Sequence, residues 1–421
     1  MFDNLLFQPA SVQLAEDLKR GVLPNALLFS GNSASGKLTC ALELARVLSC
    51  IERPAGEWQC NCASCQKNKA LVSTSVLIAG SRSCFLEIAA AKKSFLDAVQ
   101  TNASYISATR YLFIRSVRKL TLRFNPILWE GDDKASKIAP IVSGIDELLE
   151  ELDPKRLLPD FARLEKICDS LQSQCSKLED NFMYDSIPVS HIRKASSWSR
   201  YSSESGKKVF IIENADKMQE SVRNALLKIL EEPPEDTLFV LTTTRRNGVM
   251  PTILSRVRTY NFTDRSLDIH AEVIKRVFHS EVVEGTTVDA FLQSFLPVSP
   301  EIAKNIGKNF LCDIVKGCIP DIENIVKSCG GFEPRLLLNL FLQGITVALR
   351  DAAMGLPNAV LDISHPAYRI RWAEMASEAT TVIHNCANHI NIYNQSIMSA
   401  LELLALDLSV IVKKYGGNLI L

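Results

Sequence analysis

The chain has 421 residues, of which 47 are Lys or Arg and 47 are Asp or Glu, so its formal net charge is zero. At roughly 100–200 residues per domain, this length indicates about two to four domains. A protein that held nucleic acid alone by neutralising phosphates would normally carry a basic excess, so any contact with DNA is expected to be local or shared with partners. With 47% hydrophobic and 22% charged residues, the composition is that of a folded globular protein.

The sequence predicts neither a membrane span nor a secreted protein. The longest apolar runs, such as residues 401–412 with Glu402 and Asp407 inside it, fall short of the ~20 uninterrupted apolar residues that a bilayer helix needs. Residues 1–20 lack the basic, apolar and small-residue segments of a secretory signal. We therefore expect a cytoplasmic protein without a membrane partner.

A short apolar run, Ala26–Ser30, predicts the first strand, and a helical pattern begins at Lys37. Between them, Gly31 and Gly36 bound a loop of the P-loop type, in which backbone N–H groups and the following lysine bind the phosphates of a nucleotide such as ATP. The complete pattern has Ser or Thr directly after the lysine to bind Mg²⁺, and this chain has Leu38 there.

Thr39 stands one position later than that ligand. On a helix it points about 100° away from the position of its neighbour, so it cannot simply replace the missing hydroxyl. We therefore predict a nucleotide site in which the position of Mg²⁺ is weakened. A Gly/Ser loop that binds nothing is the alternative.

The chain contains 12 cysteines, which a reducing compartment would not assemble into a disulfide framework. Cys50, Cys60, Cys62 and Cys65 crowd into one short stretch, and four thiolates at such spacing suit a structural Zn²⁺ site without a catalytic role. Clustered free thiols in a loop are the alternative. The other cysteines lie in apolar or helical contexts, where cysteine behaves as a small hydrophobic residue.

Residues from about 94 to 187 show no alternation of strands and helices. We predict a helical insertion with solvated charged faces, and an arm that contacts DNA or a partner is the alternative. The segment holds a basic stretch, an acidic helical run and a second helical run: Arg110, Arg115, Arg118, Lys119 and Arg123; Ile145–Asp153; and Asp160–Asp180.

The alternation resumes after this segment. Val209–Ile212 and Leu238–Thr242 predict strands, and Glu220–Glu231 predicts a helix that Pro233 and Pro234 end. Strands that alternate with helices of this length are typical of a parallel sheet covered on both faces. The sequence therefore predicts an α/β domain.

An acidic residue is expected at the end of a strand beside the phosphates, with a second carboxylate next to it to activate water. Glu213 supplies the first acid. Asn214 follows it, and a carboxamide cannot accept a proton from water at neutral pH. Asp216 is interpreted as the N-cap of the next helix. The missing base argues against hydrolysis of ATP.

Three strings carry a resemblance: Lys208–Met218 (KVFIIENADKM), Asn224–Pro234 (NALLKILEEPP) and Thr252–Val257 (TILSRV). They resemble the AAA+ clamp-loader subunits of bacterial DNA polymerase III, most closely those of the delta-prime type. Residues 27–31 and the cysteine cluster fit the same family, and residues 391–406 resemble its C-terminal collar helices. The family spaces its last three cysteines as C-x2-C-x2-C, and here the first of the three lies one residue late.

The resemblance implies an α/β AAA+ P-loop core followed by all-α lid and collar domains. The core would be residues 1–262, with a zinc loop at 50–65 and the helical insertion. Residues 263–332 would form a small helical lid, and residues 333–421 a helical collar for oligomerisation. Long helical patterns at Leu336–Met354 and Ile383–Lys413 fit such a collar.

The resemblance also implies roles for single residues. Arg256, within Ser255–Val257, corresponds to an arginine finger that reaches a neighbouring subunit's ATP; a surface arginine paired with an acid is the alternative. Thr243, within Thr242–Thr244, stands where the family carries the polar residue called sensor 1. Arg335 is considered as the arginine called sensor 2.

Three hypotheses of function remain open. The first is a stator of the clamp loader of the replicative DNA polymerase III holoenzyme, which is not a competent ATPase alone and serves to load the sliding clamp on primed DNA. Its partners would be the other clamp-loader subunits of a hetero-oligomeric ring. The second is an ATP-hydrolysing motor subunit of the gamma/tau type, and the third is an unrelated P-loop enzyme.

Overall fold

The computed structural model describes residues 1–52, 56–81, 83–184, 186–201, 206–332, 334–355, 366–391 and 395–415. Residues 53–55 of the predicted zinc loop, residue 185 of the predicted insertion and residues 392–394 of the collar-like string lie outside this part. The chain divides into two compact units, Met1–Leu292 and Gln293–Leu421. The division into core, lid and collar stays a prediction.

Unit 1 is built on a parallel sheet of five strands in the order β2-β3-β4-β1-β5. This confirms the predicted α/β P-loop core. Because all strands are parallel, their carboxyl ends lie at one edge of the sheet, where α/β folds bind ligands. The strands are β1 (Ala26–Ser30), β2 (Val76–Ala79), β3 (Lys208–Ile212), β4 (Thr237–Thr243) and β5 (Arg258–Asn261).

Helices cover both faces of this sheet. The P-loop helix is α2, which follows β1. The helices of unit 1 are α1 (Pro9–Arg20), α2 (Lys37–Ser49), α3 (Ala63–Lys69), α4 (Phe85–Gln100), α5 (Ile106–Thr121), α6 (Pro126–Trp129), α7 (Ala135–Glu151), α8 (Phe161–Phe182), α9 (Val189–Ser199), α10 (Glu220–Glu231), α11 (Pro251–Leu254), α12 (Leu267–Phe278) and α13 (Val288–Gln293), the last of which ends at the boundary of the unit.

Successive residues of β1, β2, β3 and β4 point to opposite faces of the sheet and pack into different cores, as the two-residue period of a strand requires. Leu28 and Phe210 pack into a large core with residues of α4, α5, α7, α8, α9 and α10. Leu27, Phe29 and Val209 pack on the opposite face with residues of α1 and α2. The P-loop helix is therefore held against the sheet on the face opposite the predicted insertion.

The predicted insertion is helical, and the charged faces of α7 and α8 are exposed as expected, for example at Glu147, Glu150 and Lys166. Its helices pack into the large core through residues such as Phe113, Ile145 and Leu171. All five cations of the basic stretch have partners within the chain, so this stretch does not form a free basic surface. Arg110 donates to the carbonyls of Leu152, Asp153 and Arg156, Arg115 to that of Lys69, Arg118 pairs with Asp146, Lys119 with Glu87 and Arg123 with Glu213.

Unit 2 consists of helices: α14 (Pro300–Val315), α15 (Ile322–Ser328), α16 (Leu336–Met354), α17 (Pro366–Asn391) and α18 (Ile397–Tyr415). Two glycines let α14 and α16 cross closely, since a Cβ atom at Gly307 would lie 2.1 Å from the carbonyl oxygen of Phe341, and one at Gly344 would lie 2.1 Å from that of Lys304. The glycines therefore fix this helix pair.

The long helical pattern over Ile383–Lys413 corresponds to two helices, the C-terminal part of α17 and most of α18. α17 packs against α18, and the backbone N–H of Gln395 donates to the carbonyl of His389. Among the described residues, α16 has the length and apolar composition of a membrane span; more than half of it is buried within the protein, as in a core helix.

Candidate nucleotide and metal sites

The P-loop lies between β1 and α2, and both of its glycines are required by the local geometry. A Cβ atom at Gly31 would lie 2.4 Å from the carbonyl oxygen of Phe262. Gly36 has φ of +95°, and a Cβ atom there would lie 2.7 Å from a methyl carbon of Leu5. The loop is therefore pressed between the N-terminal segment and the residue that follows β5.

The lysine of the loop is folded back onto its backbone. Lys37 Nζ donates to the carbonyl of Gly31 at 2.6 Å and to that of Asn32 at 2.5 Å. Arg265 donates to the carbonyls of Ala34 and Ser35 on the same loop. Two cations beside the N-terminus of α2 make this place attractive to an anion such as a phosphate.

The position after the lysine has no ligand for a metal ion. Leu38 is 5% exposed and packs into the core beneath α2. Thr39 is half-buried, one position further along the helix. The structure thus places an apolar side chain where a P-loop enzyme has its Mg²⁺-binding hydroxyl.

The carboxylate of Glu213 is paired with a buried arginine. Arg123 donates from Nε at 3.0 Å and from Nη2 at 2.5 Å, both to Oε2 of Glu213. The arginine side chain is 2% exposed and that of the glutamate is 4% exposed. Burial lowers the pKa of Arg123, but its electrostatic interactions with Cys84 and Glu213 and its hydrogen bonds to Glu213 raise it more, so the guanidinium stays charged.

The end of β4 is joined to the loop after β3. Thr243 donates its hydroxyl to Oδ1 of Asp216 at 2.7 Å, and its backbone carbonyl accepts the N–H of Gly31 at 3.2 Å. The interpretation of Asp216 as a helix N-cap is wrong, because it lies in the short turn Ala215–Lys217 and the residue before α10 is Gln219. The carboxylate instead bonds to the end of the neighbouring strand.

Arg256 lies directly after α11 and forms bonds within its own chain. It donates to the carbonyl of Thr252 at 2.8 Å and to Oε1 of Glu231 at 2.9 Å. An ion pair therefore joins the SRV string to the LEEPP string. The side chain of Arg256 is 33% exposed and that of Glu231 is 53% exposed. Arg335 is half-buried at the start of α16 in unit 2, and its assignment as sensor 2 stays a prediction.

The four clustered cysteines lie together. Their Sγ atoms are all within 4.8 Å of one another, and those of Cys50 and Cys60 are 3.7 Å apart. Sulfurs bound to one Zn²⁺ at ~2.3 Å in a tetrahedron are about 3.8 Å apart, so the cluster fits the ion. Burial raises the pKa of the Cys62 thiol, whereas hydrogen bonds from the backbone of Ile51 and Cys65 and from neighbouring thiols lower it more, to about 6.

One buried arginine, which the sequence analysis did not single out, ties this cluster to the P-loop helix. Arg46 of α2 donates to both carboxylate oxygens of Glu43, to the carbonyls of Gly56 and Glu57 and to Sγ of Cys65 at 3.2 Å. An arginine three residues from a glutamate on a helix signals an ion pair. Nothing in that spacing indicates the contacts with the loop.

A sequence profile of the family described as "DNA polymerase III, delta subunit" matches residues 8–128 and 157–266 of the chain. These two segments cover more than half of the chain. They include α4, α5 and α8, so much of the predicted insertion lies within the match, and residues 129–156 lie between its two parts.

Curated proteins are similar over shorter segments. "DNA polymerase III subunit delta'" of Bacillus subtilis is 48% identical over 59 residues, which are 14% of this chain and 18% of that protein. The protein of the same name from Haemophilus influenzae is 32% identical over 148 residues, which are 34% of this chain and 41% of that protein. "DNA polymerase III subunit gamma/tau" of Mycobacterium bovis is 46% identical over 59 residues, which are 14% of this chain and 10% of that protein. The aligned parts thus span less than half the length of these relatives.

Proposed function

Because the chain belongs to the DNA polymerase III delta-subunit family, as a clamp-loader subunit of the delta-prime type, we propose that it is a stator of the clamp loader. It has little or no ATPase activity of its own. It joins the other clamp-loader subunits in a hetero-oligomeric ring, in the cytoplasm, and helps to load the sliding clamp on primed DNA.

One observation carries this proposal: the polar groups expected at a nucleotide are engaged by the chain itself. Lys37 bonds to the loop, Glu213 to Arg123 and Thr243 to Asp216. Hydrolysis of ATP needs a divalent metal ion, a residue that positions water and free charge at the transition state. A P-loop arranged in this way binds phosphate more readily than it cleaves it.

The missing groups support the same conclusion. Leu38 cannot bind Mg²⁺, and Asn214 cannot serve as a base. Asn214 also has positive backbone angles, with φ of +54°, directly after β3. A nucleotide in this subunit would therefore stay bound without being hydrolysed.

Arg256 is proposed as an arginine finger that acts on the ATP of a neighbouring subunit. Its pair with Glu231 is partly exposed to solvent, and such pairs contribute only ~0–1 kcal/mol. A phosphate of a neighbour can therefore displace the glutamate at little cost. In other nucleotide hydrolases an arginine finger accelerates the reaction about 10³–10⁵-fold.

The cysteine cluster is proposed as a structural Zn²⁺ site. Cys50, Cys60, Cys62 and Cys65 would hold the ion, which would crosslink the loop to the end of α2. All four positions of a tetrahedral ion would be filled by thiolates, so no position is left open for a substrate.

Unit 2 is proposed to contribute to assembly. Apolar side chains at Leu403, Leu406 and Val410 of α18 are 38%, 62% and 59% exposed. Their spacing of three and four residues places them on one face of the helix. An apolar face of this kind is suited to pack against a helix of another subunit.

An active motor subunit is the second candidate, because a gamma/tau subunit is 46% identical to this chain over 59 residues, almost as similar as the 48% of a delta' subunit over the same number of residues. The two candidates differ in what the isolated chain does with ATP. Hydrolysis by the purified chain that is stimulated by DNA and abolished by Lys37→Ala would support the motor and exclude the stator.

The stator proposal is tested in the reconstituted clamp loader. Arg256→Ala should leave the subunit folded and assembled, and should lower hydrolysis at the neighbouring site at least about tenfold, a small part of the effect of an arginine finger. Arg20→Ala, which removes an exposed arginine at the end of α1, is the matched control. If both variants hydrolyse ATP at the wild-type rate, Arg256 does not have this role.

A further inference from the structure

The acid expected to bind the metal ion is held by an arginine from a distant part of the chain. Arg123 follows α5 and lies 90 residues from Glu213. Two of its nitrogens donate to Oε2 of Glu213, and the third donates to the carbonyl of Lys119. A guanidinium is planar with its donors in a fixed fork, so these three bonds fix its position.

The pairing draws the carboxylate away from the P-loop. Gly80, which follows β2, is so close that a Cβ atom there would lie 2.6 Å from Cβ and 2.9 Å from Oε2 of Glu213. In the sheet, β2 lies on one side of β3, whereas β4 and then β1 with the P-loop lie on the other. The carboxylate thus leans toward the strand furthest from the phosphates.

The guanidinium also leaves no place for a divalent cation. The buried pair is one positive and one negative charge, and further positive charge beside it would be uncompensated in a region that water does not reach. One of the two carboxylate oxygens, Oε2, already accepts two N–H groups, and the guanidinium beside it repels a cation from the other. Mg²⁺ therefore does not fit at Glu213 in this arrangement.

We propose that Arg123 takes the place of the divalent metal at Glu213. In this protein Glu213 does not bind Mg²⁺, and Arg123 is the positioning residue that holds it in a structural ion pair. This inference deepens the proposed stator function and rests on it. It adds a third block to hydrolysis, beside Leu38 and Asn214, and it predicts that a hydroxyl restored next to the lysine is not sufficient to recruit the metal.

The test measures how tightly the full chain binds Mn²⁺ in the presence of ATP. The concentration of free Mn²⁺ is read from its electron paramagnetic resonance signal. The starting variant is Leu38→Thr, which supplies the missing hydroxyl. We expect it to bind Mn²⁺ no more tightly than ATP alone does. Adding Arg123→Met should raise the Mn²⁺ affinity at least tenfold, and adding Glu213→Gln to that double variant should remove the gain.

Two results would overturn the proposal. One is tight Mn²⁺ binding by Leu38→Thr with Arg123 in place, and the other is no gain when Arg123→Met is added to a folded chain. If Arg123→Met does not fold by circular dichroism, the comparison of Leu38→Thr with Leu38→Thr/Glu213→Gln decides. Equal Mn²⁺ affinities support the proposal, and a tenfold loss in the second variant contradicts it.

Failure of this inference is distinguishable from failure of the stator. A chain that binds Mn²⁺ through Glu213 and still hydrolyses no ATP would remove the role of Arg123 and leave the stator intact. A wild-type chain that hydrolyses ATP at the rate of a motor subunit would remove the stator itself.

Discussion

Replacing Arg46 by methionine tests whether one side chain holds the cysteine loop on the P-loop helix. Arg46 and Glu43 are each 1% exposed at their side chains. Removing the arginine leaves the glutamate as an uncompensated buried charge, which costs about 3–5 kcal/mol in comparable pairs. The carbonyls of Gly56 and Glu57 lose their donor as well. Glu57 is exposed, so water can replace the donor there, whereas Gly56 is buried, and we therefore expect a loss near the upper end of that range.

The effect on the metal follows from the bond between Arg46 and Sγ of Cys65. Removing a donor to a ligand atom typically lowers metal affinity about 10–100-fold. Urea unfolding of the full chain measures the stability, and the change should fall in the transition of unit 1. Transfer of Zn²⁺ to a coloured chelator measures the affinity.

Two further variants serve as controls for this prediction. Arg20→Met removes an exposed arginine of the same unit and should change the stability by no more than about 0.5 kcal/mol. Arg46→Met combined with Glu43→Met removes both charges, and it should recover part of the loss because no buried charge is left alone. A loss below about 1 kcal/mol for Arg46→Met, with unchanged release of Zn²⁺, would show that Arg46 does not anchor the loop.

The remaining predictions concern the P-loop, a buried histidine and the metal. Gly36→Ala should destabilise the chain by about 2–3 kcal/mol, because it combines a positive φ with a clash against a leucine methyl, whereas Gly21→Ala has only the positive φ and should cost about 1 kcal/mol; equal losses in urea unfolding would refute the clash. Burial and the charge of a nearby lysine lower the pKa of His191 from 6.5 to about 4. The unfolded chain therefore binds a proton that the folded chain does not, and the stability present above about pH 6.5 should fall by up to about 3 kcal/mol as the pH drops to about 4. His191→Gln should flatten this slope in urea midpoints measured from pH 4 to 7, and an unchanged slope would contradict the assignment. Metal analysis should find about one Zn²⁺ per chain, which Cys62→Ser should lose and the exposed Cys318→Ser should keep; a folded wild-type chain without zinc would refute the site.

Elements with strong local signals were predictable from the sequence. The bounds predicted for Ala26–Ser30, Glu220–Glu231 and Leu336–Met354 agree with the structure, because each is apolar or periodic and is bounded by glycine or proline. β2 and β5 were not predicted. Each has four residues, which is too short for a periodic pattern to stand out from its surroundings.

Only the part of the site that is formed by residues close together in the sequence was predictable. Gly31, Gly36 and Lys37 follow one another around a turn, so their arrangement could be inferred from spacing alone. The partners of Glu213 and Thr243 lie 90 and 27 residues away along the chain. No pattern in a single sequence joins residues at such distances, so the internal pairing of the site needed the structure.

The strand order has a consequence for how the chain is made. β1 pairs only with β4 and β5 among the described strands, so β1, complete at residue 30, has no neighbour until the ribosome reaches residue 237. At about 5–20 residues per second this interval lasts about 10–40 s. Throughout it, an apolar strand with two unpaired edges must be kept from pairing with other chains. Folding of unit 1 during synthesis therefore cannot be completed from its N-terminus, and truncation before β4 should leave a chain that aggregates.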